Sequence, residues 1–271
     1  MSGVQAGVFS RRRGRLLKTG QTTQYSGKLD DGYYKKGLAK AYTVLSAGQY
    51  SGTVNIDLVH LTATDIAFDA ATKKITSAAG ALAIFKTNDI IVITGSASNN
   101  GVYTVAIGNV AAEIVTLEAL VNEDAGASVS IAKREAHSNN CVLDQNTGLM
   151  YSRYVANKMG AASDGKLPWY DATKLYDIFA YCAAANAASL GGYTDWRIPN
   201  DLELKCLCDM EAPNALPDAA AFPSWPTSDY IWSATTIPIN VSYGMIVHFN
   251  NGNVYYTSKT TAYFTALLRG S

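Results

Sequence analysis

Between residues 171 and 204 two helical patterns are joined by nine residues, GGYTDWRIP (191–199), and this junction constrains the fold more than any other stretch. Its two glycines let a helix stop and let backbones approach closely, and its proline pre-sets φ for the start of the next helix. In DATKLYDIFAYCAAANAASL (171–190), Leu175, Ile178, Phe179, Cys182, Ala183 and Ala187 fall on one helical stripe, with Asn186 a polar residue at its edge. Asp171 stands where an N-cap belongs and Gly191 where a C-cap glycine belongs. In PNDLELKCLCDM (199–210), Asn200 and Glu203 have capping-box spacing. The junction residues Gly191, Gly192, Asp195, Trp196, Arg197 and Pro199 are therefore expected to be a folding device. Trp196 fills the space between helices and sheet on this reading; the sharper alternative is that it stacks on a sugar. Asp195 and Arg197 satisfy backbone groups or pair with neighbours at the loop base.

Composition changes twice along the 271 residues. Residues 1–43 are polar and rich in Gly, Tyr and Lys, forming an N-terminal arm and a first strand. Residues 44–135 are β-like and nearly free of aromatics. Short runs such as VNIDLVHL (54–61), DIIVITG (89–95), GVYTVAIG (101–108), EIVTLEAL (113–120) and SVSIAKR (128–134) alternate and are β-branched, which predicts a small all-β barrel or sandwich. Asn99-Asn100-Gly101 offers residues that tolerate positive φ in a hairpin turn. Residues 136–271 hold all four tryptophans, all four cysteines and both helical patterns, then the strand-like pieces YIWSATT (230–236), YGMIVHF (243–249), VYYTSK (254–259) and AYFTALLRG (262–270).

The totals exclude several function classes. Lys plus Arg and Asp plus Glu balance at 22 each, so the field expected of a dedicated nucleic-acid binder is missing. The arm carries Arg11, Arg12, Arg13 and Arg15, suited to nucleic acid or to docking on a neighbouring subunit. No apolar run is long enough for a transmembrane helix, and no apolar segment follows the arginines as a secretory signal requires. Cys141, Cys182, Cys206 and Cys208 are too few and too irregular for a disulfide framework, and with three histidines metal binding is a poor reading. Buried free thiols are expected, and no metal or cofactor.

Several pieces match one family in order. LLKTGQTTQYSGKLDDGYYKKG (16–37), VLDQNTGLMYSR (142–153), LPWYDATKLYDIFAYCAAANAASLGGYTDWRIPNDLEL (167–204), YIWSAT (230–235), VHFNNGNV (247–254) and ALLRG (266–270) resemble the DUF1566 family, which includes the C-terminal domains of Lcl-type collagen-like adhesins and many phage proteins. Tyr151 stands where the family has tryptophan. The resemblance covers roughly 1–43 and 136–271. It implies an α+β, C-type-lectin-like domain of two helices and a small antiparallel sheet, with 44–135 an inserted β-domain.

The functional reading is a non-enzymatic phage virion protein, a tail-fibre or tail-tip subunit that recognises a host surface receptor, glycan or protein. It would assemble in the host cytoplasm as a homotrimer and join other tail proteins through its arm. Receptor contacts are expected from the Tyr/Asn-rich C-terminal strands: Tyr230, Trp232, Asn240, Tyr243, His248, Asn250, Asn251, Asn253, Tyr255, Tyr256 and Tyr263, about half of them core by alternation. The competing reading is a purely structural virion component or a bacterial surface adhesin. Catalysis is disfavoured because Cys206-Leu207-Cys208 has no base placed beside it. A calcium lectin is disfavoured because EAPN (211–214) has an extra alanine and carboxylates are sparse beyond Asp209, Glu211 and Asp218.

Overall fold

The computed structural model describes residues 40–108, 110–157, 159–160, 164–208 and 218–270. The arm, the whole 16–37 segment, EAPN, Asp209 and Glu211 lie outside the described residues. No helix among the described residues is long and apolar enough to cross a membrane.

The expected α+β, C-type-lectin-like fold class is overturned. The described residues are β-rich: sixteen strands in four antiparallel sheets, with only two α-helices, α1 (Ile178–Ala187) and α2 (Asp201–Leu207). The long helix expected from Asp171 is cut to ten residues. Asp171 instead closes a local turn, accepting from the Thr173 N–H and pairing with Lys174, and the N-cap is Asp177, whose carboxylate accepts from the N–H groups of Phe179 and Ala180. The buried face also differs. Ile178, Tyr181, Cys182 and Ala185 point inward while Leu175 and Phe179 are exposed, because α1 is apolar all round and its composition marks no side. The capping box of α2 is present, with Asn200 and Glu203 bonded reciprocally.

Seven strands form one sheet: β2 (Thr53–Ala63), β3 (Ile66–Asp69), β4 (Lys74–Ser77), β5 (Ile90–Thr94), β6 (Gly101–Ile107), β7 (Glu113–Thr116) and β8 (Val129–Ser138), in the order β2-β8-β5-β6-β7-β4-β3. Its two edge strands, β2 and β3, are consecutive in the chain. Six interstrand gaps would separate them by about 29 Å in a flat sheet, whereas three Cα steps reach only about 11 Å. The sheet must therefore curl until its edges approach, as a barrel does. Ile66, Phe68, Ile75, Ile91, Ile93, Val105, Ile114, Val129 and Ile131 fill the interior by strand alternation, and Phe85, at the end of the 3-10 turn Ala81–Ile84, joins them. On β8 the same alternation continues into Lys133, Glu135 and His137, all buried. The turn before β6 differs from expectation: Asn99 and Asn100 do not take positive φ. They act through their amides instead, Asn100 bridging the N–H and C=O of Ser96, and Asn99 bridging those of Val121.

The other strands build the C-terminal half. β1 (Tyr42–Leu45), β9 (Cys141–Asp144), β10 (Met150–Ser152) and β16 (Leu268–Arg269) form one sheet in that order. β11 (Leu167–Pro168) pairs with β15 (Ala262–Tyr263), and β12 (Tyr230–Thr236), β13 (Tyr243–His248) and β14 (Asn253–Ser258) form a three-stranded meander. The single final strand expected over 262–270 is broken into β15 and β16, because Phe264 bridges to Ile231 and Thr265 accepts from the Ala156 N–H in between. The meander lies between two cores. Trp232 and Ile246 enter one with Trp196 and α1; Ile231 and Val247 enter the other with Tyr151, Phe222 and Trp225.

Candidate functional site

The register of the meander decides which Tyr and Asn side chains meet. Tyr230 lies opposite His248, which lies opposite Asn253; Trp232 lies opposite Ile246, which lies opposite Tyr255. Paired residues share a face, so this face carries Tyr230, Trp232, His248, Asn253 and Tyr255. Trp232 is fully buried and its indole N–H donates to Leu167 C=O at 3.0 Å. Gly244 makes room for it: a Cβ there would sit 3.0 Å from the Trp232 ring and 3.2 Å from Trp169.

Toward the β13–β14 turn the same face becomes an open aromatic corner. Tyr230 stacks on His248 at 4.5 Å and meets Tyr263 at 5.1 Å and Tyr255 at 5.8 Å, both edge-on. The Tyr255 hydroxyl accepts from the amides of Asn253 (3.3 Å) and Asn251 (3.1 Å). Those donors favour the phenolate, so its pKa lies below the ordinary tyrosine value. Asn251 in turn accepts from the Asn253 N–H at 3.0 Å, and Gly252 supplies the positive φ (69°) that the turn needs. Lys166 and Asp229 pair at 2.9 Å beside Tyr263 and Phe264. Asp229 holds the Lys166 pKa above its usual value, while burial, then Tyr230 and Asp229, raise that of Tyr263.

The eleven predicted residues thus separate into groups. Tyr230, His248, Asn251, Asn253, Tyr255 and Tyr263 come together at the corner, with exposed Asn250 in its turn. Trp232 is core. Tyr243 and Tyr256 meet edge-on at 5.8 Å on the opposite face, and Asn240 lies in the exposed β12–β13 connection at the far end of the meander. The Lys166–Asp229 pair was not singled out from sequence; nothing in the spacing of two residues 63 apart marks them as partners.

The GGYTDWRIP residues knit the half together. Trp196 is 3% exposed and donates from its indole to Leu190 C=O at 2.8 Å. Its own backbone is held by Asn186, whose amide accepts from the Trp196 N–H (2.7 Å) and donates to its C=O (2.9 Å). Arg197 grips Glu203 through two hydrogen bonds, and Asp195 grips Arg269, which lies 3.5 Å over the Tyr193 ring. Gly191 has a φ of 62° and lies so close to Cys141 that a Cβ would come within 2.7 Å of its sulfur. Pro199 C=O accepts from the Ala234 N–H, linking the junction to β12. An open cleft of about 530 Å³ borders this region, lined by Phe179, Cys182, Asn186, Trp196, Arg197 and Ala234 among others.

The thiols are free. Burial pushes Cys141 up to about 12 and Cys182 and Cys208 up to about 11, and it raises Cys206 as well. All four are therefore protonated and poorly nucleophilic at neutral pH. Among the described residues no three His, Cys, Asp or Glu side chains converge as a metal site.

No curated protein matches the chain. Residues 140–269, which span the junction, the meander and the closing strand β16, match the family model described as the Lcl C-terminal domain, and this part of the chain is similar to that domain.

Proposed function

We propose that the chain is a non-enzymatic binding protein of a phage tail, a fibre or tail-tip subunit whose C-terminal half docks on a host-cell surface receptor. One observation carries this reading: Tyr230, His248, Tyr255 and Tyr263 form a connected ring cluster at the open end of the meander, with Asn251 and Asn253 holding the Tyr255 hydroxyl. Stiff tyrosines provide large contact area at small entropic cost, and short amides add adaptable hydrogen bonds. The match of residues 140–269 to the Lcl C-terminal domain points to a surface or adhesin-like protein. On this reading the subunit is a homotrimer, and its basic arm, outside the described residues, joins it to other tail proteins.

The test is binding of fluorescently labelled full-length protein to a panel of bacterial strains. Truncating a central aromatic anchor costs about 2 kcal/mol, roughly thirtyfold in affinity. Tyr255→Ala is expected to lose that much on any strain the protein labels, and Tyr256→Ala, on the opposite face, to bind as the parent does. Equal binding by Tyr255→Ala and Tyr230→Ala, or labelling of no strain, would count against the corner.

A further inference from the structure

Lys133 of β8 is an unusual side chain to bury. Its Nζ lies 3.0 Å from Asp89 Oδ2, and the two side chains are 2% and 9% exposed. Asp89 immediately precedes β5, and Ile91 of β5 pairs with Lys133 itself, so the two groups come from adjacent strands of the barrel. Lys133 also donates to Gly160 C=O at 3.0 Å, and Asp89 Oδ2 also accepts from the Lys86 N–H at 2.8 Å. Both partners are therefore fixed in place before any reaction.

Removing an ammonium and a carboxylate from water is costly, and proton transfer from one to the other is the route by which such a pair can shed both charges. Burial pulls the Lys133 pKa down, partly offset by Asp89 beside it. Neutral amine and neutral acid are the two reactants of amide formation. Their fixed approach supplies an effective concentration of about 10⁵ M or more, where the free groups would not condense in dilute water.

We propose that Lys133 and Asp89 condense to an intramolecular isopeptide bond that staples β8 to the start of β5. Lys133 Nζ first gives a proton to the Asp89 carboxylate and then attacks its Cγ. The Nζ–Cγ bond forms, a Cγ–O bond breaks, and the oxygen departs with that proton and a second one from Nζ as one molecule of water. Nothing is oxidised or reduced, and no co-reactant is required. The bond closes a ring from residue 89 to residue 133 that contains β5, β6, β7 and part of β8.

The test is mass spectrometry of the full chain after denaturation. The intact protein is expected to be one water lighter than its sequence requires. No Lys or Arg lies between residues 87 and 132, so trypsin should release Thr87–Arg134 as a closed ring, uncut after Lys133. Cleavage at Glu113, Glu118 and Glu123 should then open the ring into two peptides joined through Lys133 and Asp89. A linear Thr87–Lys133 peptide of full mass as the sole product would overturn the proposal. So would a water loss that maps to a succinimide at Asp164-Gly165, or one that persists in Lys133→Met. If that variant does not fold, the tryptic map of the parent chain decides alone.

Discussion

Replacing Asn186 by alanine separates two opposed expectations. Helix propensity alone favours the change, because alanine in a helix interior is better than asparagine by about 0.5 kcal/mol. The hydrogen bonds oppose it. Asn186 satisfies both backbone groups of Trp196, at 2.7 and 2.9 Å, and the Trp196 N–H has only this partner among the hydrogen bonds described here, whereas its C=O also receives the Cys182 thiol at 3.2 Å. An orphaned buried donor costs about 1–3 kcal/mol, and the loss at the partly compensated C=O adds about 0.5–1 kcal/mol. Asn186 lines an open cleft, so water recovers part of this and the lower half of the range applies. Subtracting the propensity gain leaves a net destabilisation of about 1.5 kcal/mol. The assay is urea unfolding followed by tryptophan fluorescence. All four tryptophans lie at 169, 196, 225 and 232, so the signal reads this half and not the barrel. An Asn186→Ala protein as stable as the parent, or more stable, would refute the claim that Asn186 anchors the junction.

Two other perturbations probe different parts of the molecule. Gly244→Ala places a methyl 3.0 Å from Trp232 and 3.2 Å from Trp169; overpacking of this kind costs about 1–3 kcal/mol, to be read by the same fluorescence unfolding. His60, in β2, is buried, with Nδ1 2.7 Å from Leu58 C=O and Nε2 2.8 Å from Met159 C=O. The two carbonyls favour the imidazolium, but burial outweighs them and lowers its pKa to about 4. An unfolded histidine titrates near 6.5, so between about pH 6.5 and 4 the unfolded chain binds more protons and stability falls as pH falls. The loss reaches up to about 3 kcal/mol by pH 4, and His60→Gln should flatten that part of a stability–pH curve measured by circular dichroism.

How much of this was legible in the sequence depended on how local each signal was. The strands of the barrel and meander were readable from alternation, and the α2 capping box from Asn200 and Glu203, because those patterns involve neighbours in the chain. The length and face of α1 were not, since IFAYCAAANA is apolar on every side and only the cores packed against it choose which residues are buried. Asp171 looked like a cap because its own turn uses the same side-chain chemistry. The β-rich balance that displaces the α+β, lectin-like expectation follows from short pieces such as Leu167–Pro168 and Leu268–Arg269. Two residues carry no periodicity, and their pairing is set by partners about a hundred residues away. At the candidate site the turn Asn250–Asn253 was visible, but the division of tyrosines between the two faces required the register of β12 on β13, which includes a shift between Trp232 and Thr236.

The four-stranded sheet has a consequence for how the chain is made. It joins β1, at residues 42–45, to β16, at residues 268–269, and Ala266, Leu267 and Leu268 are at most 1% exposed. A ribosome delivers β16 after every other strand of the four-stranded sheet, so that sheet cannot be completed until these residues have emerged. The barrel strands, all between residues 53 and 138, have their partners available far earlier. A chain cut just before Leu268 would therefore carry a finished barrel and an unclosed C-terminal half, open to proteolysis.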